Sequence, residues 1–234
     1  MDSSRQFDNF DEHAEGYRKT HDNAIKLSGA NSHYFSEYKI KEILKHENPE
    51  KKYRILDFGC GDGNSSYFIH KHFPNSEIIG IDVSSQSIDI AINKKIPNCQ
   101  FIAFEGLDLP FENEEFDIVF TSMVFHHISH DLHCRILESI VSKLRTGGRF
   151  YIFEHNPLNP LTRKVVNECE FDKDAILLGH RYSRNLVEES GLNDINIYFT
   201  IFFPRKTFLA MLIRLEPLFR WCPLGAQYYI RSVK

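Results

Sequence analysis

One stretch limits the architecture more than any other: Ile55-Leu56-Asp57-Phe58-Gly59-Cys60-Gly61-Asp62-Gly63-Asn64. Residues 53–56 are apolar and β-prone, so they predict a short buried strand of a parallel sheet. Asp57 closes that strand, glycines then alternate, and Tyr67-Phe68-Ile69 opens an apolar-periodic helix. Strand, glycine turn and helix in this order build the ligand crevice of a doubly wound α/β sheet at the carboxyl end of its first strand. Gly59, Gly61 and Gly63 fit a turn that needs positive φ or a ligand packed on bare backbone.

Two ligand readings of the loop compete, beside a plain structural turn. A dinucleotide fingerprint, G-x-G-x-x-G, needs its last glycine at Asn64. Here the third glycine comes one residue early, and an acid stands two residues before the first. That pattern resembles the first motif of the class I S-adenosylmethionine-dependent methyltransferases. The resemblance implies a cofactor-binding role for Asp57, Gly59, Cys60, Gly61 and Gly63.

The next segments extend it. Residues 77–82 read as a second strand ending in Asp82, whose carboxylate can accept hydrogen bonds from ribose hydroxyls. This feature suits NAD enzymes equally, and Val83 follows it. Ser84 is the natural N-cap of the following helix. Residues 100–104 form a third strand, followed by Glu105-Gly106-Leu107-Asp108-Leu109-Pro110-Phe111 and a fourth strand over 116–121. Leu109-Pro110-Phe111 before Phe116-Asp117-Ile118 is similar to later motifs of the same family. By that similarity Glu105, with Gly106 and Leu107, lies where the adenine is held; the family usually has an aspartate after glycine there, and Asp108 is a rival. Thr121 and Ser122 then fall beside the methionine part of the cofactor. His126-His127-Ile128 resembles the family's hydrophobic-His-His segment. His126, His127, His130 and His133 share helical offsets that also admit zinc, but no neighbouring cysteine or H-E-x-x-H supports a metal, and none is expected.

Residues 131–144 form an amphipathic helix stopped by Gly147-Gly148. A fifth strand over 149–153 ends in Glu154-His155. Beyond it come a proline-rich turn at 156–163, a helix running from Val165 to Leu178, and a short helix over 183–190. Residues 192–203 and 226–233 predict two last strands, paired as an antiparallel hairpin. The expected fold is therefore a Rossmann-like, doubly wound, seven-stranded and mostly parallel sheet with an antiparallel last strand. The apolar stretch between these strands, about 205–225, reads as a helical insert. Core packing is the first reading, an acceptor pocket the second, and a weak membrane-surface contact the third.

Residues 1–50 carry two amphipathic helical patterns, one through Phe7, Phe10, Ala14 and Tyr17 and one from Tyr34 to Leu44. They form an N-terminal cap ahead of a 51–234 cofactor-binding domain. The resemblance makes this cap a lid and gives Tyr17 and Tyr34 a route to the cofactor; packing against the sheet is the alternative. A net charge of −4 gives no electrostatic footprint for nucleic acid. Five scattered cysteines without C-x-x-C fit a reduced compartment, and the absence of an apolar leader in residues 1–5 makes the expected location cytoplasmic.

The resemblance implies methyl transfer from S-adenosylmethionine, with S-adenosylhomocysteine as product, to an O, N or C atom of a small organic, lipid-linked or sugar-linked acceptor. His127 and His155 are the candidate bases, with His126 and Glu154 behind them. An NAD(P)-dependent oxidoreductase and a non-catalytic nucleoside-binding protein are the alternatives.

Overall fold

The computed structural model describes residues 32–169, 175–203 and 208–234. The first amphipathic pattern, with Tyr17, lies outside the described residues. The chain runs α1 (Ser32–Ile43), β1 (Arg54–Phe58), α2 (Asn64–His72), β2 (Glu77–Asp82), α3 (Ser85–Asn93), β3 (Cys99–Ala103) and β4 (Phe116–Ser122). Two 3-10 turns, Phe125–His127 and His130–Leu132, lead into α4 (His133–Lys143) and β5 (Leu144–His155). Then come α5 (Pro160–Glu168), α6 (His180–Glu189), β6 (Asn193–Thr200), a 3-10 segment at Phe208–Phe219 and β7 (Gln227–Val233).

The strands form one sheet in the order β3-β2-β1-β4-β5-β7-β6. Strands β1 to β5 pair in parallel, while β7 lies antiparallel between β5 and β6. The expected fold class is observed. The order turns around between β1 and β4, so the crevice that this fold offers a ligand opens at their carboxyl ends.

Neighbouring residues of each central strand point to opposite faces, and both faces are covered. Leu56, Ile79, Val119 and Ile152 meet Ile136, Leu137 and Ile140 of α4 and Val187 of α6. Ile55, Ile78, Ile118 and Tyr151 meet Ile40 and Ile43 of α1 and Phe68 and Ile69 of α2. Two-sided burial is why these strands read as continuous apolar runs rather than alternating ones. Polar contacts fasten α1 and the residues just past it to the rest of the fold: Glu42 pairs with Arg220, Tyr38 Oη donates to Glu216 at 3.3 Å, and Glu47 pairs with Arg149 of β5 at 2.7 Å.

Four local expectations are corrected. Asp57 does not end β1 but lies inside it, 1% exposed. Strand β5 starts five residues early, at Leu144, which pairs with Phe116; the register then shifts, with Gly147 at φ +76° in the irregular stretch before Arg149 pairs with Ile118. The helix placed at 165–178 is displaced: Asn159 caps α5, its Oδ1 accepting from Leu161 N at 2.9 Å and Thr162 N at 3.1 Å, with Pro160 in the first turn. That helix stops at Glu168, and Ile176 N instead donates to His126 O at 3.0 Å. The insert between β6 and β7 is not core: Met211 is 81% exposed, Leu218 68% and Trp221 78%. Among the described residues, no helix is long and apolar enough to cross a membrane.

Candidate active site

A cleft of about 250 Å³ opens at the carboxyl ends of β1, β2, β4 and β5, with α1 across its other side. Its floor is the β1–α2 loop. Gly59 N and Cys60 N both donate to Ile81 O, at 2.8 and 2.9 Å, so the loop continues the β1–β2 ladder for two more residues. Gly59 takes φ +72°, and a Cβ on it would lie 2.3 Å from Val124 Cγ2. Val124 reaches that position because Met123, at φ +60°, turns the chain sharply after β4. A left-handed non-glycine residue costs about 1–2 kcal/mol, and such strain gathers at functional sites. Gly61, at φ +52°, lines the cleft, and a Cβ there would meet nothing within 4 Å.

Asp82 stands at the tip of β2. Its Oδ2 accepts from Gly61 N at 2.7 Å and its Oδ1 from Ser84 N at 2.9 Å. One carboxylate thus holds the glycine loop and the start of α3 while facing the cleft. Asp57 lies behind the loop, and its Oδ2 accepts from Ser66 Oγ at 2.6 Å. Burial pushes its carboxyl up to about 7, against the pull of Ser66.

Strands β4 and β5 carry the imidazoles. Glu154 is fully buried; its Oε1 accepts from Phe125 N at 3.0 Å and its Oε2 lies 2.6 Å from His126 Nδ1. A proton on Nδ1, shared with that carboxylate, leaves Nε2 as the lone-pair nitrogen of the neutral ring. The His126 ring lies 4.2 Å from His127 and 5.4 Å from His155, centroid to centroid. His133 anchors the loop below: its Nε2 lies 2.9 Å from Phe125 O and 3.0 Å from Ile128 O, and its Nδ1 2.9 Å from Tyr182 Oη.

Of the residues singled out in the sequence, Gly59, Cys60, Gly61, Asp82, Val83, Gly106, Ser122, His126, His127 and His155 line the cleft. Asp57, Gly63, Glu105, Leu107, Thr121 and Glu154 are not on its wall. Thr121 and Glu154 are buried, Glu105 is exposed, and Leu107 packs on the core. Asp108 is paired with Arg135 at 2.8 Å on the surface. Tyr34 packs against Phe35 and Tyr38 instead of reaching the cleft.

Sequence reasoning read α1 as part of a lid but missed the side chains it presents to the cleft. Ser32, Phe35, Ser36 and Lys39 line the cleft, spaced by three, four and seven residues on one helical face. That spacing was the available signal. Phe104, Met123, Val124 and Ile128 add apolar walls, and Cys169 enters from the end of α5. Among the described residues, no cluster of three or more His, Cys, Asp or Glu side chains is arranged to hold a metal ion.

The chain matches the family described as "Methyltransferase domain" over residues 49–193. It is 31% identical over 121 residues to a demethylmenaquinone methyltransferase of Thermotoga maritima, covering 52% of this chain and 50% of that protein. It is 34% identical over 110 residues to a malonyl-[acyl-carrier protein] O-methyltransferase of Ilyobacter polytropus, covering 46% of this chain and 40% of that one. The matched region thus spans about half, or less, of these relatives' length. Among solved structures, a SAM-dependent methyltransferase of Thermotoga maritima, described as a possible histamine N-methyltransferase, shares the fold. Its TM-score is 0.69 at 17% identity, over 96% of this chain and 98% of that one. With the family match extending from just before β1 to the start of β6, this chain belongs to the class I S-adenosylmethionine-dependent methyltransferases.

Proposed function

We propose that the chain transfers a methyl group from S-adenosylmethionine to an O, N or C atom of a small organic acceptor with an apolar part. The observation that carries this reading is one cleft in which a glycine loop and Asp82 stand beside three histidines. The cofactor, when bound, supplies an electrophilic methyl carbon on a sulfonium, and a neutral thioether departs. Fit is tested by the loop itself: the open space over Gly61 admits a ligand against bare backbone, and Asp82 offers acceptor oxygens at the tip of β2.

In this reading Gly59, Cys60 and Gly61 cradle the cofactor from below, and Asp82 with Val83 takes the ribose. Gly106 and Phe104 flank the adenine, and Ser122 meets the amino-acid end. Asp57 and Gly63 shape the loop from behind, with Leu107 and Thr121 as packing around it; Glu105 would have to swing inward to reach the base. The segment ahead of residue 51, of which α1 is the described helix, acts as a cap over the 51–234 domain.

The chain's main work is alignment of donor and acceptor in a dry cleft. Where the acceptor is a hydroxyl, His127 or His155 removes its proton. Glu154 fixes the His126 ring, and that ring packs against both neighbours. The relatives' names point to different acceptors, demethylmenaquinone in one and malonyl-[acyl-carrier protein] in another. The acceptor class here rests on the cleft's walls, where Phe35, Met123, Val124 and Ile128 favour an apolar surface. The exposed insert, with Trp221 and Leu218, supports a weak contact with a membrane surface or a lipid-linked acceptor.

The test is calorimetric titration with S-adenosylmethionine, S-adenosylhomocysteine and NADH, followed by intact-mass measurement of candidate acceptors incubated with cofactor and protein. Binding of the two sulfur ligands but not NADH, and a gain of one methyl group on an acceptor, are the expected results. Binding of NADH alone would return the reading to a dehydrogenase. Binding of the sulfur ligands without any methylated product would favour a nucleoside-binding protein.

A further inference from the structure

Lys39 is the third-from-last charged residue of α1 and is 7% exposed. Its Nζ donates one hydrogen bond, to Ser122 Oγ at 2.6 Å. Among the described residues, no carboxylate lies within salt-bridge distance of it. Other shielded cations of this chain differ. Arg149 meets Glu47 at 2.7 Å, and Arg220 meets Glu42. A buried ammonium without an ion pair is costly, because the cleft returns little of the hydration it lost. Burial accordingly pushes Lys39 down to about 8, with Glu154 and Asp57 pulling the other way from beyond contact. It is therefore still mostly charged at neutral pH, with one of its three N–H donors committed among the described residues.

Its position gives the charge a use. Lys39 lines the same cleft as Gly59 and Gly61, and its single partner, Ser122, is the last residue of β4. Of the acidic side chains of the cleft, Asp82 stands at the tip of β2, on the far side of β1 from β4, and Asp62 in the β1–α2 loop pairs with Lys94 at 3.3 Å. Among the described residues, an anion entering between β1 and β4 would meet a cation without an ion pair and no opposing carboxylate on the cleft wall.

We infer that Lys39 is the counter-ion of a carboxylate on a bound ligand, with Ser122 holding the ammonium in place until that ligand arrives. The inference rests on the methyltransferase reading above and deepens it. Two sources carry such a group to this spot: the amino-acid end of the cofactor, or an acid group on the acceptor.

The test uses the full chain and the variants Lys39→Met, Lys39→Gln and Lys39→Arg, with thermal unfolding run on each. Lys39→Met removes a buried unpaired charge and is expected to fold at least as stably as wild type. Lys39→Gln keeps a donor toward Ser122 without the charge, and serves if the methionine variant fails to fold. Each protein is titrated calorimetrically with S-adenosylhomocysteine and with 5′-methylthioadenosine, a nucleoside thioether lacking the amino-acid part. Malonate is then titrated in the presence of saturating S-adenosylhomocysteine. If the cofactor supplies the carboxylate, the neutral variants lose at least tenfold in affinity for S-adenosylhomocysteine, bind methylthioadenosine as wild type does, and Lys39→Arg recovers most of the loss. If the acceptor supplies it, both nucleosides bind normally and malonate binding is lost. Unchanged affinity for S-adenosylhomocysteine with no malonate binding lost overturns the inference. So does an equal loss for both nucleosides, which would mean that Lys39 only shapes the cleft. Failure of the wild type to bind either nucleoside is separate, and would instead remove the methyltransferase reading.

Discussion

Gly61→Val separates binding from folding. Gly61 takes φ +52°, and a Cβ on it would have nothing within 4 Å. The substitution therefore costs backbone strain but no overlap with the fold. The left-handed region costs an L-residue about 1–2 kcal/mol. For a chain of this size 1 kcal/mol moves Tm by about 2–4 °C, so the expected fall is about 2–8 °C. The new isopropyl group stands where a ligand would approach the backbone. A loss of at least about 100-fold in affinity for S-adenosylhomocysteine is expected, equivalent to about 2.7 kcal/mol. Gly59→Ala is the control. Its Cβ would lie 2.3 Å from Val124 Cγ2 and 2.9 Å from Cγ1, so it adds overpacking of about 1–3 kcal/mol to the same kind of strain. Thermal unfolding and calorimetry on both variants should give opposite rankings: Gly61→Val the weaker binder, Gly59→Ala the less stable protein. A Gly61→Val protein that binds within threefold of wild type would refute the idea that this loop lies under a ligand.

Asp82→Ala should weaken S-adenosylhomocysteine by about 1–3 kcal/mol through lost hydrogen bonds, and should also lower Tm, because Gly61 N and Ser84 N lose their acceptor. Wild-type affinity, by calorimetry, would take Asp82 out of the ribose role. His127→Asn and His155→Asn, made separately, should leave cofactor affinity within threefold; whichever histidine is the base should lower turnover by about 10²–10⁴. Equal, unaffected rates in single-turnover assays would favour alignment alone. Asp57→Asn addresses stability against pH. The folded carboxyl titrates at about 7 instead of 3.8, so the native state holds a proton that the unfolded chain has released between those values. Stability should therefore be fullest at the acid end and fall as pH rises toward 7, by on the order of a few kcal/mol. The asparagine variant should flatten this slope in Tm measured from pH 4.5 to 7.5; an unchanged slope would show that Asp57 does not set it. Lys39, at about 8, acts in the opposite direction but only above that window.

The legible parts of the fold and site were those written in consecutive residues. Gly59 and Gly61 announce a turn because the alternating glycines sit between a strand and a helix. Asp82 announces a strand tip because apolar residues run straight into it. The doubly wound, mostly parallel class of the sheet followed from the repetition of that unit. Lys39 was hidden because a lysine among aromatic residues reads as the wet face of a helix, and only tertiary packing turns that face inward. Met123 was hidden for another reason: its positive φ follows from the hydrogen bond of its N–H to Phe153 O, a contact between strands that local sequence does not encode. The insert misled in the other direction. Its apolar density predicted a core, yet β6 and β7 bury themselves against β5 and α6, leaving Met211, Leu218 and Trp221 outside.

That arrangement gives the protein a built-in optical probe. Trp221 is the chain's only tryptophan, so all indole emission comes from one known site. Its ring is largely solvated, while the adjacent Arg220 is tied to Glu42, three residues along α1 from Lys39. Any movement of α1 on ligand entry would therefore reach the surroundings of this fluorophore. Red-shifted emission and ready quenching by iodide report the starting state, and a change in either on adding a ligand would follow the cap without any label.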